Sequence, residues 1–359
     1  MKSIAILGLA AMLALPAQAA DPLPAFHGDS RQSSVSGLSS GAFMAAQYQV
    51  AFSASVVGAG VVAGGPYYCA QGSLAGTAAC MAGPPPQPSL LLAGAKQFAA
   101  AGQIDPLADL AKRRIYLFSG TQDNTVRTPV VDAAASFFQL AGVPAAQLAY
   151  QKQLPAGHAQ ITPSFGNNCG ATASPYLNHC TWQGQGYDQA GLILKHIYGA
   201  LQPKPQTTSG KLLSFDQTPY AAAGSSLAAE GYVYVPRACF AGQACKVHIA
   251  LHGCQQYAGK VGDAFYAHAG YNEWADGNRI IVLYPQTTTS AANPQGCWDW
   301  FGYTGPAYAW KTGLQMRALK AMADRLVSAP DAGRKRRCPA GRGIARTSRP
   351  GFTRRRGAP

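Results

Sequence analysis

Short unbroken apolar runs alternate along this chain with stretches whose apolar residues recur every three or four positions. ASVVGAGVVA at residues 54–63 is such a run, ending in a Gly-Pro turn, and reads as a buried strand; residues 43–52 before it read as a helix. RIYLF (114–118) and LAYQKQ (148–153) read as further strands, with helical segments near 89–112 and 130–142. In the C-terminal half, KVHIALHGCQQ (246–256) is a strand closing in HGC, a helix follows near 261–276, and the strand RIIVLY (279–284) is stopped by Pro285. A last helix is predicted near 311–327. Strands alternating with helices predict an α/β fold with a mostly parallel central sheet and helices on both faces.

The first apolar run has a different meaning. MKS carries one Lys, IAILGLAAMLAL (4–15) is apolar, and Ala17-Gln18-Ala19 fits a small-x-small cleavage site. A run of about a dozen apolar residues falls short of the roughly 20 that a spanning helix needs. Residues 1–19 therefore read as a signal peptide, 20–330 as one catalytic-sized domain and 331–359 as a basic tail.

Export permits disulfides, and eight of nine cysteines fall into candidate pairs: Cys69 with Cys80, Cys169 with Cys180, Cys239 with Cys245, and the distant Cys254 with Cys297, leaving Cys338 over. Sequence alone does not fix that connectivity. No CxxC or HExxH spacing accompanies them, so no metal site is expected. The net charge of +14 is mostly a tail property, because residues 331–359 hold ten Lys and Arg against one acidic residue. That tail has almost no apolar periodicity and is expected to be disordered and solvated; nucleic acid is not an expected partner of an exported chain.

Candidate chemistry lies at strand ends. VSGLSSGAFM (35–44) contains GxSxG with Ser39 at its centre, GTQDNTV after RIYLF supplies Asp123, and PAGHA after LAYQKQ supplies His158. A serine hydroxyl needs an imidazole to accept its proton, and the imidazole needs a carboxylate to fix its tautomer. The order serine, aspartate, histidine is the order of α/β-hydrolases. Asp105 precedes a proline and Asp132 lies inside a helical segment, so surface or capping roles suit them better. His179 lies beside Cys180 in an expected disulfide loop, His196 sits in a helical segment, and His27, His248 and His268 lack a strand-end loop, so all five read as structural.

An HG loop after a strand can donate to an oxyanion, but elements of that kind ordinarily precede the nucleophile. Here they follow it by more than two hundred residues, so the domain reads as circularly permuted. QSSVS (32–36) would then be the strand feeding Ser39, with the helix near 311–327 covering the join.

Together GLSSG (37–41), DNTV (123–126), Gly157-His158, SPY (174–176), KHIYG (195–199), LHGC (251–254), LYP (283–285) and GCWDWF (296–301) resemble exported poly(3-hydroxybutyrate) depolymerases of the permuted catalytic-domain type, over residues 30–328. The resemblance implies a triad of Ser39, Asp123 and His158, and an oxyanion hole made by the backbone amides of Ser40 and Cys254, with a Cys254–Cys297 disulfide steadying the loop. It implies ester hydrolysis through a 3-hydroxyacyl intermediate on Ser39, with a polyester polymer or oligomer as substrate. No cofactor, metal or membrane span is implied, a monomer is expected, and the destination is extracellular or periplasmic.

Two features depart from the pattern. Only the basic tail follows the catalytic body where many secreted members carry a polymer-binding module, and the strand before Ser39 has Val35 as its one strongly apolar residue. Trp298, Trp300, Tyr303 and Trp310 are candidate substrate-binding aromatics; most read as core, and Trp310 is the first choice for an exposed subsite. The alternatives are a feruloyl or acetyl xylan esterase and a noncatalytic polymer-binding protein.

Overall fold

Eight strands line up side by side in the computed structural model, which describes residues 20–330; residues 1–19 (expected as a signal peptide), the basic tail and Cys338 lie outside the described residues. In chain order the elements are β1 (Ser33–Leu38), α1 (Ser40–Ala51), β2 (Val56–Val62), α2 (Leu74–Ala82), α3 (Pro88–Ala100), β3 (Arg114–Phe118), α4 (Thr128–Leu140) and β4 (Leu148–Gln151). Five short strands follow, β5 (Gln160–Thr162), β6 (Asn167–Asn168), β7 (Leu177–His179), β8 (Thr181–Trp182) and β9 (Gln185–Gly186), then α5 (Gln189–Tyr198). The C-terminal half adds β10 (Lys211–Asp216), β11 (Glu230–Val235), α6 (Arg237–Phe240), β12 (Lys246–Leu251), α7 (Ala258–Val261), α8 (Ala264–His268), α9 (Tyr271–Asn278), β13 (Ile280–Tyr284) and α10 (Leu314–Val327).

The main sheet runs β10-β11-β13-β12-β1-β2-β3-β4, and β11 alone is antiparallel to its neighbours. Counted onward from β10 and then from β1, this is the sheet of an α/β-hydrolase whose first four strands have moved to the C-terminal half. The two ends of the described segment meet. Phe26 N–H donates to Leu326 O at 3.0 Å, His27 N–H to Ser328 O at 2.9 Å, and Arg325 Nε to Leu23 O at 3.0 Å, so α10 does cover the join.

Local chemistry shortens several predicted elements. The segment expected as one helix over 89–112 stops at Ala100, where Gly102 turns the chain at φ +69°, and resumes as a 3₁₀ turn at Leu107–Lys112. The segment expected over 261–276 is broken into α7, α8 and α9 at Gly262 and Gly270, whose φ values are +63° and +90°. β4 ends at Gln151, and α10 begins at Leu314 after Gly313.

The apolar-poor strand β1 is buried along its whole length. Its alternate residues Ser34 and Ser36 face one side, where the ring of His248 on the paired strand β12 meets both hydroxyls, Nδ1 to Ser34 Oγ at 2.7 Å and Nε2 to Ser36 Oγ at 2.8 Å. Ser34 Oγ also pairs with Tyr198 OH at 2.6 Å, and Ser36 Oγ with Tyr271 OH at 2.7 Å. A polar layer thus does the work usually done by Val or Ile, and each of its members has a partner. Val35 and Leu38, the strongly apolar residues of β1, are fully enclosed in the core.

Burial pushes the His248 imidazole down to about 3, well below its ordinary value. Its folded pKa is depressed, so the stability it contributes is present above the unfolded value near 6.5 and is lost as pH falls toward 3. The folding free energy is expected to fall by on the order of 1–2 kcal/mol from this residue between pH 6.5 and 5. Denaturant titrations across that range check this, and a His248→Gln variant should show a shallower pH slope from a lower starting stability.

Candidate active site

Ser39 occupies the residue between β1 and α1, with φ +56° and ψ −123°, a conformation costing a non-glycine residue roughly 1–3 kcal/mol. Its N–H donates to Val62 O at 3.0 Å, while Ser39 O accepts from Ala42 and Phe43. Gly37 and Gly41 make the turn possible. A Cβ on Gly37 would sit 2.3 Å from the Gly41 carbonyl, and one on Gly41 would sit 2.5 Å from the carbonyl oxygens of Leu251 and His252. Every residue of β1 is buried, yet Ser39 is only half-buried: the turn lifts the hydroxyl out of the sheet.

Asp123 and His158 follow β3 and β4, on the same carboxyl edge of the sheet. Beyond the strand ends their loops remain knitted together, Ser119 N–H donating to Gln151 O, Thr121 N–H to Leu154 O and Gln122 N–H to Ala156 O. One carboxylate oxygen of Asp123, Oδ1, accepts the amides of Thr125 at 2.8 Å and Val126 at 2.9 Å. The other, Oδ2, lies 2.8 Å from His158 Nδ1, and both side chains are buried. A carboxylate only accepts, so Nδ1 carries the proton and Nε2 is left as the acceptor, the state a general base needs. His158 is braced from behind: its N–H donates to Thr172 Oγ1, Gly157 N–H to Cys169 O, and the Cys169–Cys180 disulfide closes the bracing loop.

The HGC loop after β12 lies against the Ser39 turn. A Cβ on Gly253 would stand 3.4 Å from Ser39 Cβ. Ser40, the first residue of α1, accepts Trp298 N–H on its hydroxyl at 3.2 Å. Cys254 is bonded to Cys297, whose backbone is held at both polar groups by Asn293 at 2.8 Å. Disulfides also join Cys69 to Cys80 and Cys239 to Cys245.

The four aromatics separate. Trp298 is fully buried, its ring 5.5 Å from that of His252, and buried Trp300 stacks on Phe43 at 4.4 Å. Both belong to the core and have no face to offer a polymer. Tyr303 donates its hydroxyl to Cys297 O at 2.8 Å. Trp310 is half-buried beside Phe98, ring centroids 5.3 Å apart, and keeps some exposed surface. The segment carrying the first three is organised by Asp299, whose buried carboxylate accepts from the amides of Phe301, Gly302, Tyr303 and Thr304.

The competing acids and histidines are engaged elsewhere. Asp105 pairs with Lys311 and Asp132 with Lys152 and Tyr150. His196 meets Gln147 O, His179 meets Gly166 O, and His268 stacks on Phe165. Sequence reasoning missed Gln256 and His252 as parts of the site. Gln256 is buried, with Oε1 accepting Gly253 N–H at 2.8 Å and Nε2 donating to Pro175 O and Tyr176 O, so it ties the HGC loop to the layer behind His158. A glutamine in a loop gives no periodic signal, and nothing in HGCQQ marks which Gln turns inward.

A separate cavity of about 340 Å³ lies between the β8–β9 hairpin and α5, lined by Trp182, Tyr187, Leu192 and Trp274 among others, and contains none of Ser39, Asp123 and His158. Among the described residues no group of three or more His, Cys, Asp or Glu is arranged to hold a metal ion, and no helix is long and apolar enough to cross a membrane.

No family model matches the chain. It is 45% identical over 317 residues to a poly(3-hydroxybutyrate) depolymerase of Delftia acidovorans, an alignment covering 86% of this chain and 62% of that protein, so the chain spans about three fifths of that relative. It is 39% identical over 329 residues to a polyhydroxybutyrate depolymerase of Talaromyces funiculosus, covering 86% of this chain and 94% of the relative. Two solved structures resemble it, each 37% identical and covering 85% of this chain and 98% of their own. A PHB depolymerase carrying a serine-to-alanine change and complexed with R3HB trimer has a TM-score of 0.79, and the PHB depolymerase from Penicillium funiculosum has 0.78. A sheet with its strands permuted in this order, a serine at the turn after β1, and extended identity to proteins of one kind converge: the chain belongs to the poly(3-hydroxybutyrate) depolymerase family.

Proposed function

We propose that the chain is a serine esterase that hydrolyses poly(3-hydroxybutyrate) to oligomers and monomers, with Ser39 as nucleophile, His158 as general base and acid, and Asp123 as the orienting carboxylate. The observation that carries this reading is the buried His158–Asp123 pair at 2.8 Å on the sheet edge where the strained, half-buried Ser39 stands. The relative bound to an R3HB trimer supports 3-hydroxybutyrate units as the substrate.

The chemistry follows from these groups. Ser39 Oγ attacks the ester carbonyl as its proton passes to His158 Nε2, and the imidazolium is stabilised by Asp123 through Nδ1–H. The tetrahedral oxyanion is received by the amides of Ser40 and Cys254; one such donor contributes on the order of 3 kcal/mol to the transition state. Collapse expels the 3-hydroxy alkoxide, which takes the proton from His158, and leaves a 3-hydroxyacyl ester on Ser39. Water then attacks that ester, giving its proton to His158, and the acid departs as Ser39 recovers its hydrogen. No organic cofactor or metal enters this sequence.

Trp310 is the proposed subsite, its partly exposed ring offering a flat apolar surface to the methyl groups of the polymer. Export is proposed from the four disulfides, which persist in oxidising compartments.

The purified mature protein is expected to clear a suspension of amorphous poly(3-hydroxybutyrate), and Ser39→Ala to leave it turbid, with acetylated and feruloylated xylan unchanged by either. Deacylation of xylan with turbid polyester would assign the carbohydrate esterase reading instead, and inactivity on all three a binding protein. Asp123→Asn should lower kcat by about 10⁴ through the wrong imidazole tautomer, measured on a soluble butyrate ester. Trp310→Ala should slow polymer clearing about tenfold while hydrolysis of that soluble ester stays within about threefold, a difference of roughly 1.4 kcal/mol in polymer binding.

A further inference from the structure

The backbone of Gly253 is held at both of its polar groups by buried side chains. Its N–H donates to Gln256 Oε1 at 2.8 Å, and its carbonyl oxygen lies 2.7 Å from His252 Nδ1. The far ring atom of His252 settles which nitrogen carries the proton. Nε2 lies 3.2 Å from the Thr287 amide, which can only donate, and the Thr287 hydroxyl donates to Gly296 O at 2.6 Å. Nε2 is therefore the acceptor, and Nδ1–H donates to the Gly253 carbonyl. His252 is fully buried, among the rings of Trp298, Phe265 and Tyr257. Burial pushes its imidazole down to about 4, so this tautomer persists across the neutral range.

The peptide joining Gly253 to Cys254 is trans, and in a trans peptide the carbonyl and the following N–H point in opposite directions. A carbonyl pinned to His252 aims the Cys254 amide away from the imidazole, and that amide has no acceptor among the described residues. The disulfide to Cys297 restrains the Cys254 side chain but leaves the plane of this peptide free to turn, the more so because Gly253 carries no Cβ.

We propose that His252 is a positioning residue for ester hydrolysis: by donating from Nδ1 to the Gly253 carbonyl it fixes the direction in which the Cys254 amide meets the oxyanion, while Gln256 holds the preceding peptide. The proposal rests on the reading of Cys254 as an oxyanion donor. Because His252 acts on the transition state through a backbone amide, its loss lowers kcat and leaves substrate binding in place.

The test compares wild type, His252→Phe, His252→Asn, His252→Gln and Ser39→Ala on a soluble butyrate ester, with thermal midpoints and the rate of inactivation by a dialkyl aryl phosphate. His252→Phe is expected to lose about 30- to 100-fold in kcat, less than the 10²–10³ of losing a donor outright, with KM within about threefold and phosphorylation of Ser39 slowed in parallel. His252→Asn, whose amide N–H can stand where Nδ1 stood, should recover at least tenfold over His252→Phe; His252→Gln, whose amide reaches the Nε2 position, should not. A folded His252→Phe with wild-type kcat overturns the proposal, as does a fall that appears in KM or is the same for the Asn and Gln variants. If His252→Phe does not fold, the Asn and Gln pair alone decides. Activity surviving in Ser39→Ala overturns the underlying esterase reading, a result separate from all of these.

Discussion

A serine held at positive φ is an unfavourable structure that the rest of the molecule must impose. Ser39 sits at φ +56° because β1 is clamped between β12 and β2 and cannot relax, while α1 starts directly after it. The strain of roughly 1–3 kcal/mol is small beside the burial of an entire central strand, so the turn persists. Its geometry also depends on empty space at Gly37 and Gly41, where the Ser39 turn touches the end of β12. Ser39 and the HGC loop are thereby brought together by one contact between neighbouring strands.

The other half of the site is built on the same principle of adjacency. β3 and β4 pair in parallel, and the hydrogen bonds between their outgoing loops continue that pairing as far as Ala156, two residues short of His158. Asp123 does not need a long reach. Two backbone amides take one of its oxygens, leaving the second for the imidazole. Gln256 closes the circuit by joining the HGC loop to the segment at Pro175 and Tyr176, which itself pairs with Gln160 just past His158. Loops from four separate strands are therefore tied to one another, which is what a reaction needing alignment to fractions of an ångström demands.

Circular permutation changes the order of the chain without changing these neighbours. The segment at Phe26 and His27 is hydrogen-bonded to the end of α10, so the old connection can be made or cut there with little disturbance to the sheet. β1 and β12, distant in sequence, pair along Ser33 to Gly37, and most of the site depends on that long-range pairing.

The sequence by itself determined the class of fold, the three triad candidates and their order and the displaced HGC strand, because apolar runs, Gly-rich turns and strand-end motifs are local signals; it offered the cysteine pairs only as candidates. It placed Asp123 and His158 at strand ends but misjudged helices interrupted by Gly102, Gly262 and Gly270, where one residue outweighs a periodic stretch. It could not show why a strand whose only strongly apolar residues are Val35 and Leu38 is buried along its whole length, since the reason is His248, more than two hundred residues away, meeting Ser34 and Ser36. Nor could it separate Trp298 and Trp300, sealed in the core, from Trp310, or single out His252 and Gln256. Those assignments belong to tertiary structure alone: a side chain's burial and hydrogen-bond partners are properties of what the fold brings beside it, and no pattern along the chain encodes them.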